Sequence, residues 1–231
     1  MLLYCVSHAG ASAMNFLKWK PLLKKSISLY PLEMAGRGIK HSQPIYTSFS
    51  EAVQDLFVDF KESYTGGSFA LFGHSLGGWL VYELYYYIKN QLHICPQHVF
   101  ISGIHPPDVP YNKVNNLSLQ DSVLMDMISQ FQGEEIVSLD SEILEELKKV
   151  LKNDLMLVKN YQYKKKQELI QSPITILSGT RDPKVTNQQL LGWKSFAESR
   201  CTLCKIKGDH FYPFNNMEET ISILNSTLIP Y

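Results

Sequence analysis

Ser68-Phe69-Ala70-Leu71-Phe72-Gly73-His74-Ser75-Leu76-Gly77 decides how the rest of the chain is read. Residues 68–73 form a short continuous apolar run bounded by glycines, which suits a strand buried on both faces. Residues 73–77 fit G-x-S-x-G, in which the serine stands on a sharp strand-to-helix turn so that its hydroxyl clears the sheet. Side chains two residues to either side would collide in that turn, hence the glycines. Beyond it, Trp79 to Lys89 reads as a helix with Leu80, Leu84 and Ile88 on an apolar stripe. A buried strand entering and a helix leaving favour a nucleophile at Ser75 over an idle serine in a glycine-rich turn.

Outward from this unit the same alternation recurs. Residues 2–7, Ile27 to Glu33, His98 to Gly103, Ile174 to Gly179 and Cys201 to Ile206 read as strands, and residues 50–64 carry Val53, Leu56, Phe57 and Phe60 as a helical stripe. Strands alternating with helices imply an α/β fold with a mostly parallel central sheet, helices on both faces and right-handed crossovers. Residues 105–171 break the pattern. Leu119, Val123, Leu124, Met127, Ile128 and Phe131 recur at helical spacing, as do Ile143, Leu147, Val150, Leu151, Leu155 and Val158. Pro106-Pro107 and Ser172-Pro173 bracket the stretch. It reads as a helical insertion placed where a lid would sit, the plainer alternative being a large crossover connection. Residues 1–231 are expected to form one domain. Lys164-Lys165-Lys166 reads as a solvated helix end rather than a phosphate site.

Composition narrows the function. Apolar residues at 45% and charged ones at 19% allow a sizeable core and exclude wholesale disorder. Lys+Arg and Asp+Glu are 22 each, so no global field favours nucleic acid or an anionic membrane. Met1 to Val6 has no basic flank and is not expected to be a signal peptide. No run approaches the ~18 apolar residues of a membrane span, so a cytoplasmic protein is expected. Cys5 and Cys95 stand alone, and Cys201 and Cys204 point to opposite faces of their strand. With no second pair at metal spacing, neither metal nor redox chemistry is expected of them.

An elbow serine needs a base, and in this architecture the order along the chain is serine, acid, histidine. Of His8, His41, His74, His93, His98, His105 and His210, only His210 follows the strand at 174–179 and any acid beyond it. Asp182 comes directly off that strand's carboxyl end, with Pro183 fixing the turn, and is the expected acid. Asp209 is the rival, but a neighbour of His210 reaches that ring's Nδ1 poorly. Asp154 lies on an apolar stripe and reads as a satisfied polar group of the insertion. The oxyanion hole takes the Leu76 N–H and one from the loop after the first strand. Ala9 is the expected second donor, with Gly10 the alternative and His8 a brace for the loop.

Taken together, Ser7-His8-Ala9-Gly10, residues 30–38, Gly73 to Gly78, Gly179-Thr180-Arg181-Asp182-Pro183, Gly208-Asp209-His210-Phe211, Phe131-Gln132-Gly133 and Lys152-Asn153-Asp154 resemble the standalone type II thioesterases of nonribosomal peptide and polyketide synthases, within the α/β-hydrolase superfamily. The chain departs from that pattern at Met34-Ala35-Gly36-Arg37, where Pro-Gly-Arg is usual, and at Ala11, where a second glycine is usual. The resemblance implies hydrolysis of acyl or aminoacyl thioesters on the phosphopantetheine arm of a carrier domain, editing mis-primed or stalled modules. Ser75, His210 and Asp182 would act through an acyl-enzyme, in a monomer, with no cofactor or metal. The competing readings are a medium-chain fatty acyl thioesterase, a carboxylesterase on free esters, and a non-catalytic hydrolase-fold receptor.

Overall fold

A computed structural model describes residues 1–109, 119–132 and 140–229. Its strands are β1 (Leu2–Val6), β2 (Ser28–Pro31), β3 (Phe69–His74), β4 (His98–Ser102), β5 (Ile174–Gly179) and β6 (Cys201–Ile206). Its α-helices are α1 (Phe49–Ser63), α2 (Leu76–Leu92), α3 (Asp121–Gln132), α4 (Ser141–Asn160), α5 (Asn187–Leu191), α6 (Tyr212–Asn215) and α7 (Met217–Leu228). The strands form one sheet in the order β2-β1-β3-β4-β5-β6, every neighbouring pair parallel.

Successive strand residues feed two separate cores. Tyr4, Val6, Phe69, Leu71, Val99, Ile101, Ile174 and Ile176 join one, while Leu3, Cys5, Ala70, Phe72, Phe100 and Leu177 join the other. Burial on both faces is why these strands read as unbroken apolar runs. α1 and α2 cover the first core, α1 through Val53, Leu56 and Phe60 at helical spacing. The second is closed by a 3₁₀ helix, Ala13–Leu22, and by α7, through Phe16, Trp19, Ile221 and Leu224. Cys201 packs toward the first core and Cys204 toward the second, as their spacing requires.

Several boundaries differ from the pattern read in the sequence. β2 is confined to Ser28–Pro31, a half-exposed edge strand whose last bond to β1 runs from the Leu32 N–H to the Cys5 carbonyl at 2.9 Å. Glu33 instead leaves the sheet to accept hydrogen bonds from Ser12 Oγ at 2.6 Å and Ala13 N at 2.9 Å. α2 begins at Leu76, three residues before Trp79, since the elbow passes directly into the helix. Within the insertion, Leu124 and Ile128 of α3 and Leu151, Leu155 and Val158 of α4 are buried. Ile143 is 48% exposed because the first turn of α4 projects past the core. Residues 110–118 and 133–139 of the insertion, with Gly133, lie outside the described residues. Among the described residues no helix is long and apolar enough to cross a membrane.

This topology gathers the loops the chemistry needs. β1 has β2 on one side and β3 on the other, so the connections leaving β1 and β3 part there and open a crevice at the carboxyl edge. The pairing Val6↔Gly73 sets residues 7–10 beside residues 74–77. The pairing Gly179↔Ile206 sets residues 180–184 beside residues 207–211.

Buried imidazoles make the fold acid-sensitive, His8, His74 and His98 among them. Burial holds His74 well below the usual imidazole range, pushes His8 down to about 3 and His98 to about 4. An unfolded imidazole takes its proton near 6.5, so between that pH and the folded values the unfolded state binds more protons. Stability is therefore lost as pH falls, by ~1.4 kcal/mol per pH unit for each such histidine. Urea midpoints should drop steadily from about pH 6.5 to about pH 4, and His98→Gln should make the fall shallower by up to ~1.4 kcal/mol per pH unit. An unchanged slope in that variant would contradict this origin of the acid sensitivity.

Candidate active site

Ser75 occupies φ +55°, ψ −120°, a strained conformation for a residue with a side chain. Neighbouring backbone enforces it. The Ser75 N–H donates to the Ser102 carbonyl at 2.8 Å, and the Gly78 N–H to the Ser75 carbonyl at 2.9 Å. A Cβ on Gly73 would stand 2.0 Å from the Gly77 carbonyl oxygen, and one on Gly77 would stand 2.2 Å from that of Val6. Both positions admit only glycine.

His210 arrives over the serine from the loop after β6. Its Nε2 lies 3.1 Å from Ser75 Oγ and its Nδ1 lies 2.8 Å from Asp182 Oδ2. That loop is tied to the one after β5: the Thr180 N–H donates to the Ile206 carbonyl and the Arg181 N–H to the Gly208 carbonyl, both at 2.8 Å. Gly179 packs so closely on the Asp209 carbonyl that an added Cβ would stand 2.2 Å from its oxygen. The Asp182 side chain is fully buried, and its second oxygen accepts the Lys184 N–H at 2.9 Å, a turn closed around Pro183. Asp209 turns the other way, accepting the Phe211 N–H at 2.8 Å. Asp182, not Asp209, thus meets the ring.

Burial holds His210 below its usual 6.5, opposed by the hydrogen bond its ring donates to Asp182. The imidazole is therefore neutral near pH 7, with the Nδ1 proton directed to Asp182 and the Nε2 lone pair toward the serine hydroxyl. Behind it, the His74 ring lies 5.0 Å away, its Nδ1 2.9 Å from Ser102 Oγ, which also meets the Tyr212 hydroxyl. His8 bonds the Ala9 carbonyl through Nδ1 at 3.0 Å and is ringed by Phe131, Phe211 and Phe214, a brace for its loop.

Ala9 and Leu76 line the pocket that holds Ser75 and His210. The alternative donor, the Gly10 N–H, is directed elsewhere, to Asp154 Oδ2 at 2.7 Å. Met127 and Phe131 of α3 and Leu155 and Val158 of α4 supply the pocket's apolar wall. Lys184, which sequence reasoning passed over, also lines it, and burial lowers its ammonium below the usual lysine range. Its place directly after the acid's turn was the available signal. Among the described residues no group of three or more His, Cys, Asp or Glu is arranged to hold a metal ion.

An oriented serine–imidazole–carboxylate array is equipped for acyl transfer. The thioesterase domain family matches residues 2–228, nearly the whole chain. The chain belongs to the thioesterase family. Gramicidin S biosynthesis protein GrsT of Aneurinibacillus migulanus is 29% identical to this thioesterase over 96% of this chain and 86% of that protein. The crystal structure of ClbQ from the colibactin NRPS/PKS pathway superposes with a TM-score of 0.88 at 33% identity, covering 98% of this chain and 96% of that one. The type II thioesterase BorB from the borrelidin biosynthetic cluster shares the fold, with a TM-score of 0.84 at 24% identity over 98% and 92% of the two chains.

The elbow of this thioesterase gives a direct check. Gly77→Ala forces backbone apart where Ser75 must be held, and a displacement of about 1 Å at a reacting group costs on the order of 10² in rate. The variant should lose at least that much kcat while its circular dichroism stays native. Wild-type turnover would mean that the elbow does not need the Gly77–Val6 contact.

Proposed function

We propose that this thioesterase hydrolyses acyl and aminoacyl thioesters from the phosphopantetheine arm of carrier domains, editing mis-primed or stalled modules of a peptide or polyketide synthase. The observation that carries the reading is the Ser75–His210–Asp182 array, with its 3.1 and 2.8 Å contacts, in a chain so similar to GrsT and ClbQ. Ser75 Oγ attacks the thioester carbonyl as His210 Nε2 takes its proton. Oxygen becomes negative in the tetrahedral intermediate, where the Ala9 and Leu76 N–H groups would stabilise it. Collapse breaks the C–S bond, and the departing thiolate takes the proton from His210. Water then repeats the sequence on the acyl-enzyme, releasing the acid and restoring Ser75. Asp182 holds the imidazole's tautomer and stabilises its cation in both halves.

In this reading no metal or organic cofactor takes part, because nucleophile, base and oxyanion donors are all the chain's own groups. The enzyme acts as a cytoplasmic monomer. α3 and α4 serve as a lid over the acyl pocket. A second pocket, reaching outward to Asn15 and Lys18, shares His8, Phe131 and Phe211 with the Ser75 pocket. That shared wall supports entry of a long arm from the surface, with the acyl group lodged beneath α3 and α4.

Ser75→Ala should leave the fold intact and abolish nearly all turnover. Asp182→Asn should cost on the order of 10⁴ in kcat by misplacing the imidazole tautomer, and Asp209→Asn far less. If Asp209→Asn proved the more damaging, the acid would be misassigned.

Substrate class is tested with matched acyl groups. Contacts to a carrier and its arm supply binding energy that a small alcohol cannot. Short acyl or aminoacyl groups should therefore show higher kcat/KM on a carrier domain than on a small alcohol. Equal or better efficiency on the small esters would make the protein a carboxylesterase, and a peak at medium chain lengths would make it a fatty acyl thioesterase.

A further inference from the structure

The most heavily engaged carboxylate beside the site belongs to none of the three residues of the catalytic array. Asp154, fully buried on α4, meets Arg37 through both oxygens: Nη1 donates to Oδ2 at 2.6 Å and Nη2 to Oδ1 at 2.7 Å. Oδ2 also accepts the Gly10 N–H at 2.7 Å. Arg37 Nη1 reaches the Ala11 carbonyl at 3.4 Å, and the Ala11 N–H closes a turn on the His8 carbonyl at 3.2 Å. The Gly10–Ala11 half of the turn that presents Ala9 is therefore held by one ion pair. Gly10 sits at φ +79°, and a Cβ there would stand 3.1 Å from Leu151 Cδ1 and 3.3 Å from Phe131 Cζ. The same glycine is thus pressed by α3 and α4 and hydrogen-bonded by α4.

We propose that Asp154 is a positioning residue for the oxyanion hole: by taking the Gly10 N–H it fixes the 8–11 turn so that the Ala9 N–H faces the Ser75 carbonyl site. The proposal deepens the Ser75 reading and rests on it. Two consequences follow from the geometry. Gly10 is consumed as a donor, leaving Ala9 and Leu76 as the oxyanion pair. The helix that walls the acyl pocket also sets the donor geometry, so a displacement of α4 takes Asp154 away from Gly10 and loosens the hole.

A role confined to stability is separated from positioning by two double variants. R37M/D154N and R37M/D154L both delete the buried ion pair, but only Asn retains an oxygen that accepts the Gly10 N–H. Kcat per active site, counted by fluorophosphonate titration, should fall on the order of 10² in R37M/D154L, the cost of an oxyanion donor. R37M/D154N should recover at least about tenfold of that loss, with KM little changed in either. Equal kcat per titrated site in the two variants would overturn the proposal. A second measurement needs no variant to fold. With the wild-type protein labelled at backbone nitrogen, a boronic acid that forms a tetrahedral adduct on Ser75 should shift the Ala9 and Leu76 amide resonances and leave that of Gly10 in place. A Gly10 shift as large as that of Ala9 would refute the assignment. Failure of the boronate to bond Ser75 at all would instead count against the Ser75 reading.

Discussion

Backbone pressed on backbone at the carboxyl ends of β1 and β3 is the constraint from which the working parts of this molecule follow. With Gly77 against the Val6 carbonyl and Gly73 against the Gly77 carbonyl, there is no room for a side chain at either position. The chain must turn sharply, Ser75 must take a positive φ, and α2 must start at once. Such strain persists only where the surroundings over-determine it. Here they do so through the fully buried strands on either side and through the bond from the Ser75 N–H to Ser102. The serine's exposure to substrate is thus a property of the sheet rather than of a flexible loop.

Charge and polarity around that point are divided among the elements. Burial keeps the imidazoles His8, His74 and His210 neutral, and each cation formed among them would raise the cost of the next. Asp182 is positioned to offset that cost for His210 alone. A second buried carboxylate, Asp154, pairs with Arg37 and leaves the reacting groups untouched. The Asp182–His210 hydrogen bond serves proton transfer, and the Arg37–Asp154 ion pair holds the Gly10 backbone.

Much of this was legible in the sequence because it is local. The apolar run before Ser75, the helix after it and the serine, acid, histidine order can be read from short segments, and parallel register then brings their ends together. What escaped the sequence depends on distant partners or on irregular backbone. Ala9 is favoured over Gly10 as a donor in the sequence, but the Gly10 N–H's own acceptor, Asp154, lies 144 positions away, out of reach of local reading. Asp154 read as a satisfied polar group, and its satisfaction by Arg37 and Gly10 together is visible only in three dimensions. The 3₁₀ helix Ala13–Leu22 carries Phe16 and Trp19 into the second core without an α-helical stripe to announce it. Ile143 shows the opposite failure: its place in an apolar period was clear, but the period continues one turn beyond the surface it packs on.

The central claim is that the thioester's acyl group passes through Ser75. It is tested most directly by mixing the protein with an excess of acyl carrier thioester, quenching in acid within milliseconds and mapping the peptides by mass spectrometry. The account predicts a transient mass increase equal to the acyl group on the peptide containing Ser75, absent in Ser75→Ala, decaying as free acid appears. Acid formed at the same rate with Ser75 unmodified at every quench time, or acyl groups carried on another residue, would contradict it.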